Sequence, residues 1–341
     1  YAFTESFCVY GNGLTPAQMR WLLDCQYARG INLLVMGCYP LSTRDHLMTG
    51  ERPHFSPSDP LWDLMPGFNA YAARLSYALS VGKPAISTAL YYPARDLWAL
   101  GEKGGANAAA THDALAEAML SIQCDYDEID DDTLASATIS EGTLEAGAMR
   151  YTTIVCGDVH YMDPKARAKL DAFVFHGGRA ISLDHVPNAN GTDTAKANGF
   201  ILITHATSVY MNLAPTVRLY PKSPDIRITK RITSDADIVF LFNEGNTPYN
   251  GGIYGNADFN VRKMDCLTGK GMEEPMFPQC NFIHLEPGES SLYRVEWKIT
   301  GEFYERSAHY KTIPLETNIT ATPKRRFIVG EHDFEIENVN L

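Results

Sequence analysis

Residues 1–36, YAFTESFCVYGNGLTPAQMRWLLDCQYARGINLLVM, constrain the fold more than any other stretch of the chain. They read as strand, loop, capped helix, strand. Tyr1–Phe7 is short and mostly apolar. Thr15 stands where it can cap a helix, with Pro16 at the first helical position, where a missing N–H costs nothing. Met19, Leu22, Leu23, Gln26 and Tyr27 follow at helical spacing, and Gly30 ends the helix. Ile31–Met36 is then expected as a buried parallel strand. Two strands joined by a crossover helix pair in parallel, and parallel sheets need cover on both faces. A unit like this therefore belongs to a larger β/α assembly.

The rest of the chain divides by pattern. A long loop rich in Pro, Ser, His and Arg runs from Gly37 to about Pro60, and a helix is expected over Phe68–Leu79. Loops of that length in compact domains are often functional. From residue 83 to about 185, strands at Ala85–Tyr91, Tyr151–Cys156 and Arg179–Leu183 alternate with helices at Thr111–Ile122 and Pro164–His176. That alternation predicts a doubly wound parallel sheet, flavodoxin- or amidotransferase-like. The acidic stretch Asp125–Asp132 is expected as a loop entering a short helix. Beyond residue 225 the pattern changes to short strands separated by Gly, Pro and Asn turns: Ile226–Ile232, Ile238–Asn243, Asn260–Cys266 and Ser291–Trp297. This predicts an antiparallel β-sandwich. The expected fold class is α/β plus all-β. Its segments are β/α units (1–82), the parallel α/β domain (83–185), a linker and irregular segment (186–224), the sandwich (225–297) and a β-rich tail (298–341).

Composition narrows the function. The net charge of −12 argues against nucleic acid, which needs a basic face. The basic run Lys324-Arg325-Arg326 is expected as a solvated face. No run of 18 apolar residues occurs, so no membrane-spanning helix is expected. Seven cysteines form an odd set with no CxxC pair, which suggests reduced thiols rather than a zinc site or disulfide framework. No HExxH or DxDxDG run is present. Aromatic residues make up 11% of the chain, with 18 Tyr, and suit either a carbohydrate platform or ordinary core packing.

Glu5 is the leading catalytic candidate. In β/α barrels the chemistry sits at the C-terminal ends of strands, and Glu5 lies where that edge is expected. Glycoside hydrolysis uses two carboxyl groups, one protonating the leaving oxygen and one activating water or attacking carbon. No second carboxylate stands out. Asp24 falls mid-helix and reads as structural, and Asp45, Glu51 and Asp59 lie on the long loop. The partner is therefore expected upstream of Tyr1, with this chain the C-terminal part of a longer enzyme. Tyr10, Asn12, Tyr39, His46 and His54 are expected to contact sugar. Cys156, with His160 or His176, offers a nucleophile, but the GxCxG elbow is absent and a buried thiol is the competing reading.

A set of ordered motifs resembles glycoside hydrolase family 106, the α-L-rhamnosidases. These are Thr4-Glu5-Ser6-Phe7, Leu14-Thr15-Pro16, Asp24, Ala28-Arg29-Gly30-Ile31-Asn32, His54-Phe55, Pro60-Leu61-Trp62 and Tyr71 through Tyr77. Gly82-Lys83-Pro84, Asp125-Tyr126-Asp127, Glu141 through Leu144, Tyr151 through Val155, Gly177-Gly178, Phe242-Asn243 and Leu267-Thr268-Gly269 continue it, over about residues 1–296. The resemblance implies a large multidomain, inverting, calcium-dependent glycosidase, with residues 1–82 as terminal β/α units of a TIM-like catalytic barrel, Glu5 as an active-site carboxylate and a glycoside as substrate. The chain departs from the pattern at Val35-Met36-Gly37-Cys38-Tyr39, where the family often places a His. That weakens the link to rhamnose more than the link to glycosidases. A non-catalytic carbohydrate-binding or oligomerisation module is the rival expectation. Homo-oligomerisation and the compartment, cytoplasmic or exported, stay open.

Overall fold

The computed structural model describes residues 1–11, 13–37, 39–40, 53–191, 199–254, 259–273, 276–277, 280–297, 326–329 and 332–335. It forms two units, 1–300 and 301–341. In the second, β22 (Arg326–Val329) and β23 (His332–Glu335) make an antiparallel hairpin, the only pairing among its described residues.

The first unit opens as the sequence predicts. Strand β1 (Phe3–Ser6), helix α1 (Pro16–Tyr27) and strand β2 (Leu33–Met36) form a β-α-β unit whose strands pair in parallel, Glu5 opposite Val35. Thr15 and Gln18 complete a capping box, each side chain taking the other's backbone N–H. Asn32 ties the unit together: its Oδ1 accepts from the Ala2 amide at 2.9 Å, and its Nδ2 donates to the Leu79 carbonyl. Helix α2 (Met65–Ala78) covers the face carrying Leu34, while Leu79 and Leu75 pack with Leu23 and Tyr27 of α1 in one apolar cluster. β2 differs from expectation in one respect. It is not buried on both faces, because Phe3, Leu33 and Val35 stand 65%, 44% and 45% exposed on the side away from the helices. Among the described residues β1 and β2 make a two-stranded sheet and no closed barrel.

The α/β segment holds five parallel strands in the order β11-β10-β9-β4-β5. Before them comes the short β3 (Lys83–Pro84), which pairs with the sandwich rather than with this sheet. The strands are β4 (Thr88–Tyr91), β5 (Asp127–Ile129), β9 (Thr153–Cys156), β10 (Arg179–Leu183) and β11 (Ile201–Ile203). Helices α3 (Ala94–Gly104), α4 (Ala106–Ser121), α5 (Asp131–Ser136) and α6 (Pro164–Phe175) connect them, and a small antiparallel sheet, β6 (Thr138–Ser140), β7 (Thr143–Ala146) and β8 (Met149–Tyr151), intervenes. β4 and β9 are buried at every position, which a central parallel strand requires.

Three local expectations give way here. The acidic stretch contains β5, whose Ile129 packs inward while Asp127 accepts from Tyr151 Oη at 2.9 Å. Residues 186–224, expected as a linker, supply β11 at the sheet edge and β12 (Arg218–Tyr220). The helix expected from Thr111 begins earlier, at Ala106, and Thr111 does not open it. It lies inside the helix, its hydroxyl donating back to the Asn107 and Ala108 carbonyls.

The β segment packs two antiparallel sheets. One runs β17-β16-β21-β14-β13-β3, with β13 (Ile226–Ile232), β14 (Asp237–Asn243), β16 (Phe259–Asp265), β17 (Lys270–Glu273) and β21 (Ser290–Trp297). The other joins β12 to β15 (Tyr249–Tyr254), then β19 (Cys280–Asn281) and β18 (Met276–Phe277), with β20 (Ile283–Leu285) also on β15. Leu219, Ile228, Leu241, Ile253, Val261, Tyr293 and Val295 fill the space between them. On its other face the larger sheet contributes Ile238, Phe240, Phe242 and Leu292 to the cluster under α1 and α2. The alternation of inward and outward residues along β14 thus buries both faces, and all of Asp237–Asn243 is buried.

Candidate functional site

Glu5 is exposed at the C-terminal end of β1, and its carboxylate accepts from Cys8 Sγ at 3.3 Å. Local geometry explains why it points outward. Phe7 takes a positive φ of 75° and buries its ring against Phe55 and Phe68, at 6.1 and 6.0 Å. A bulky residue in that conformation costs about 1–3 kcal/mol, and the aromatic cluster holds it there. The chain therefore folds over its own strand end and leaves Glu5 at the rim. The neighbouring strand ends at Gly37, whose amide donates to the Ser6 carbonyl at 3.0 Å. A Cβ at Gly37 would collide with Cys8 Sγ and come within 3.3 Å of Glu5 Oε1, so a side chain there displaces the thiol and crowds the carboxylate.

Tyr10 is 49% exposed and packs its ring edge on Phe7 at 6.3 Å. Tyr39, 68% exposed, sits two residues beyond Gly37 and meets Trp62 edge-on at 6.4 Å. These two rings, with Met36, Phe55, Met65, Pro66 and Asn69, line a cavity of about 310 Å³ at the strand end. Met36 lies on the helix-covered face of β2, whereas Glu5 shares the opposite face with Phe3, Leu33 and Val35. The cavity and the carboxylate thus occupy the same end of the sheet on different sides. His54 is buried, 7% exposed, and its Nδ1 has no hydrogen-bond partner among the described residues. Asn12 and His46, with Asp45 and Glu51, lie outside the described residues. Trp62 and Gly37 were not singled out as site residues. Trp62 sat in view within a Pro-Leu-Trp motif, but only the fold brings it against Tyr39.

Asp24 is structural, as its mid-helix position suggests. Fully buried, it accepts from Tyr71 Oη at 2.6 Å and Ser290 Oγ at 2.7 Å, joining α1, α2 and β21. Burial pushes its carboxyl up to about 6 despite those donors and Arg20 nearby. Cys156 is fully buried at the end of β9, and burial pushes its thiol up to about 12, so it is no nucleophile. His160 pairs with Asp158 instead, and His176 caps the far end of α6, beyond the opposite edge of the sheet.

No protein-family model matches the chain, and no curated protein sequence matches it. Solved structures do. A rhamnosidase from Novosphingobium sp. PP1Y superposes with a TM-score of 0.64 at 18% identity, over 86% of this chain and 31% of that one. A GH42 β-galactosidase, Gan42B, gives 0.60 at 11% identity, over 87% and 54%. An α-L-fucosidase, isoenzyme 2 from Paenibacillus thiaminolyticus, gives 0.54 at 10% identity, over 87% and 60%. The fold is one found in glycoside hydrolases, and the chain spans from about a third to three fifths of these enzymes' length.

Proposed function

We propose that this chain is part of a glycosidase in which Glu5 acts as an acid or base on an α-linked deoxy sugar such as L-rhamnose. The observation that carries the reading is the position of Glu5. It is an exposed carboxylate at the C-terminal end of a parallel strand, on a sheet face whose apolar side chains Phe3, Leu33 and Val35 are also exposed. In a β/α barrel that face is the interior and that end carries the chemistry. The likeness to glycoside hydrolase structures supports the same reading. A partner carboxylate belongs on the strands that would cover this face. Tyr10, on the loop that follows β1, offers a hydroxyl to a sugar at this strand end, while Tyr39 and Trp62 line the cavity on the other side of the sheet.

Calcium, implied by the family resemblance, does not fit the described residues here. The ion takes six to eight oxygen ligands, and among the described residues no group of three or more carboxylate, His or Cys side chains gathers at Glu5. No step is assigned to it.

The test is Glu5→Gln in the full-length protein, assayed on aryl α-L-rhamnosides and β-galactosides. Loss of a general acid or base lowers kcat by about 10²–10⁴-fold with KM little changed. Unaltered turnover by the variant refutes the assignment. A second reading, a carbohydrate-binding module, has its own support in Tyr220 and Tyr254. These are 67% and 40% exposed and pair at 5.6 Å on the smaller sheet of the sandwich. Glycan binding lost in Tyr254→Ala, with no hydrolysis by the full-length protein, favours that reading.

A further inference from the structure

The parallel sheet has a second site, independent of Glu5. In chain order its strands lie 2-1-3-4-5, with β4 and β9 adjacent and their connections leaving in opposite directions. In open α/β sheets ligands bind in the crevice at the C-terminal ends of such strands. Two loops at that edge carry Asp158 and His160, just after β9, and His185, two residues after β10.

The three side chains converge on one point. Asp158 Oδ1 lies 2.9 Å from His160 Nε2 and 2.5 Å from His185 Nε2. The donor atoms all lie within 4.8 Å of one another. His185 Nδ1 is 2.8 Å from the Val186 carbonyl, an acceptor only, so Nδ1 carries the hydrogen. In a neutral ring Nε2 is then the lone-pair nitrogen, and it faces a carboxylate oxygen. A positive charge has to sit between them. One metal ion satisfies both imidazoles and the carboxylate together. A ring N–H donated to a backbone carbonyl is also the usual way in which a metal-ligating histidine is oriented.

The surrounding structure holds this arrangement in place. Asp96 is fully buried and spends its carboxylate on the amides of His160 and Tyr161, at 2.7 and 3.2 Å. Asn107 donates to the second oxygen of Asp158, and the Asp158 amide donates to Thr111 Oγ1 at 3.2 Å. The two loops interlock through the amides of Asn188 and Gly191, which donate to the carbonyls of Val159 and His160 at 2.9 and 2.7 Å. Asp184, just before His185, takes a positive φ of 62°. Ser182 Oγ fixes the His185 carbonyl at 2.5 Å. Side-chain exposures of 14% for Asp158, 42% for His160 and 32% for His185 leave the point open to solvent.

We propose that Asp158, His160 and His185 form a binding site for a divalent transition ion of the zinc type, with a further position open to water. Two imidazoles and one carboxylate match Zn²⁺ or Co²⁺ and disfavour Ca²⁺ and Mg²⁺, which take oxygen ligands. Tetrahedral Zn²⁺ bonds of about 2.0–2.2 Å place ligand atoms about 3.3 Å apart, so the ion enters by a small opening of the present contacts. Asp96 acts as a positioning residue through the His160 backbone.

The test titrates the chelator-treated chain with ZnCl₂ by calorimetry, and with CoCl₂ by visible absorption. One ion per chain is expected, with the intense visible bands of four-coordinate Co²⁺. His160→Ala and His185→Ala, each checked for folding by circular dichroism, should weaken affinity by at least about 10-fold. Asp158→Asn, nearly isosteric, provides the same comparison if a histidine variant does not fold. Absence of binding, or binding equally tight in the variants, overturns the proposal. In that case the cluster is an imidazolium–carboxylate pair, and the His185 ring protons in an NMR pH titration then ignore added zinc.

Discussion

Asp24→Asn should flatten the pH dependence of stability. The carboxyl lies at about 6 in the folded chain against 3.8 when solvated, because burial outweighs the bonds from Tyr71 and Ser290 and the nearby Arg20. A carboxyl raised on folding takes up a proton, so it favours the fold below about 3.8, and this is lost as pH rises through about 6. At about 1.4 kcal/mol per pH unit the full effect is about 3 kcal/mol. About 2 kcal/mol of it falls between about pH 4.5 and about pH 7.5. Asparagine keeps the site satisfied, since its oxygen can accept from one hydroxyl and its amide donate to the other. Urea denaturation of both proteins at several pH values checks this, with the difference in unfolding free energy moving towards the variant as pH rises. Burial also raises Asp125, to about 7, but that contribution is common to both proteins and cancels. Parallel curves, or a variant that loses more stability than the parent on going to neutral pH, refute the reasoning.

Gly37→Val should sharply lower any activity that needs Glu5 and cost some stability as well, because Gly37 is buried and a side chain there displaces Cys8 and crowds Glu5. Activity and melting temperature measured together separate the two effects. Arg227 is buried between Glu244 at 2.7 Å and Glu117 at 2.9 Å, joining β13 to α4. Arg227→Ala should cost about 3 kcal/mol, with Arg29 still neutralising Glu244 at 2.6 Å, measured by urea denaturation. Trp62→Ala should weaken a glycoside bound in the cavity lined by Tyr39 and Trp62 at least several-fold, and cost about 1–3 kcal/mol of stability because most of the ring is buried. Isothermal titration with an inert glycoside reads this.

The elements that were legible were those whose signals are local. The Thr15 cap, Pro164 at the start of α6, the helix spacing of α1 and the strands near Ile226–Ile232, Ile238–Asn243, Asn260–Cys266 and Ser291–Trp297 were each readable from neighbouring residues. β5 was missed because three residues, two of them acidic, carry no strand pattern, and pairing with β4 defines them. β11, the apolar Ile201–Ile203, is too short to stand out in the sequence and is defined by pairing with β10. β3 shows the limit most plainly: Lys83 and Pro84 precede the parallel sheet in sequence yet pair with β13, about 150 residues on.

The sites divide in the same way. Sequence alone placed Glu5 at a strand end and Asp24 on a helix, because strand polarity and helix caps are local properties. Only the tertiary structure decided that Glu5 shares an exposed face with Phe3, Leu33 and Val35 and that Tyr39 meets Trp62. It also showed Asp24 closing a buried triangle with Tyr71 and Ser290, and His185 swinging onto Asp158 and His160. Those relations join residues on different strands and helices. Their energies depend on burial and register, which the order of residues along the chain does not contain.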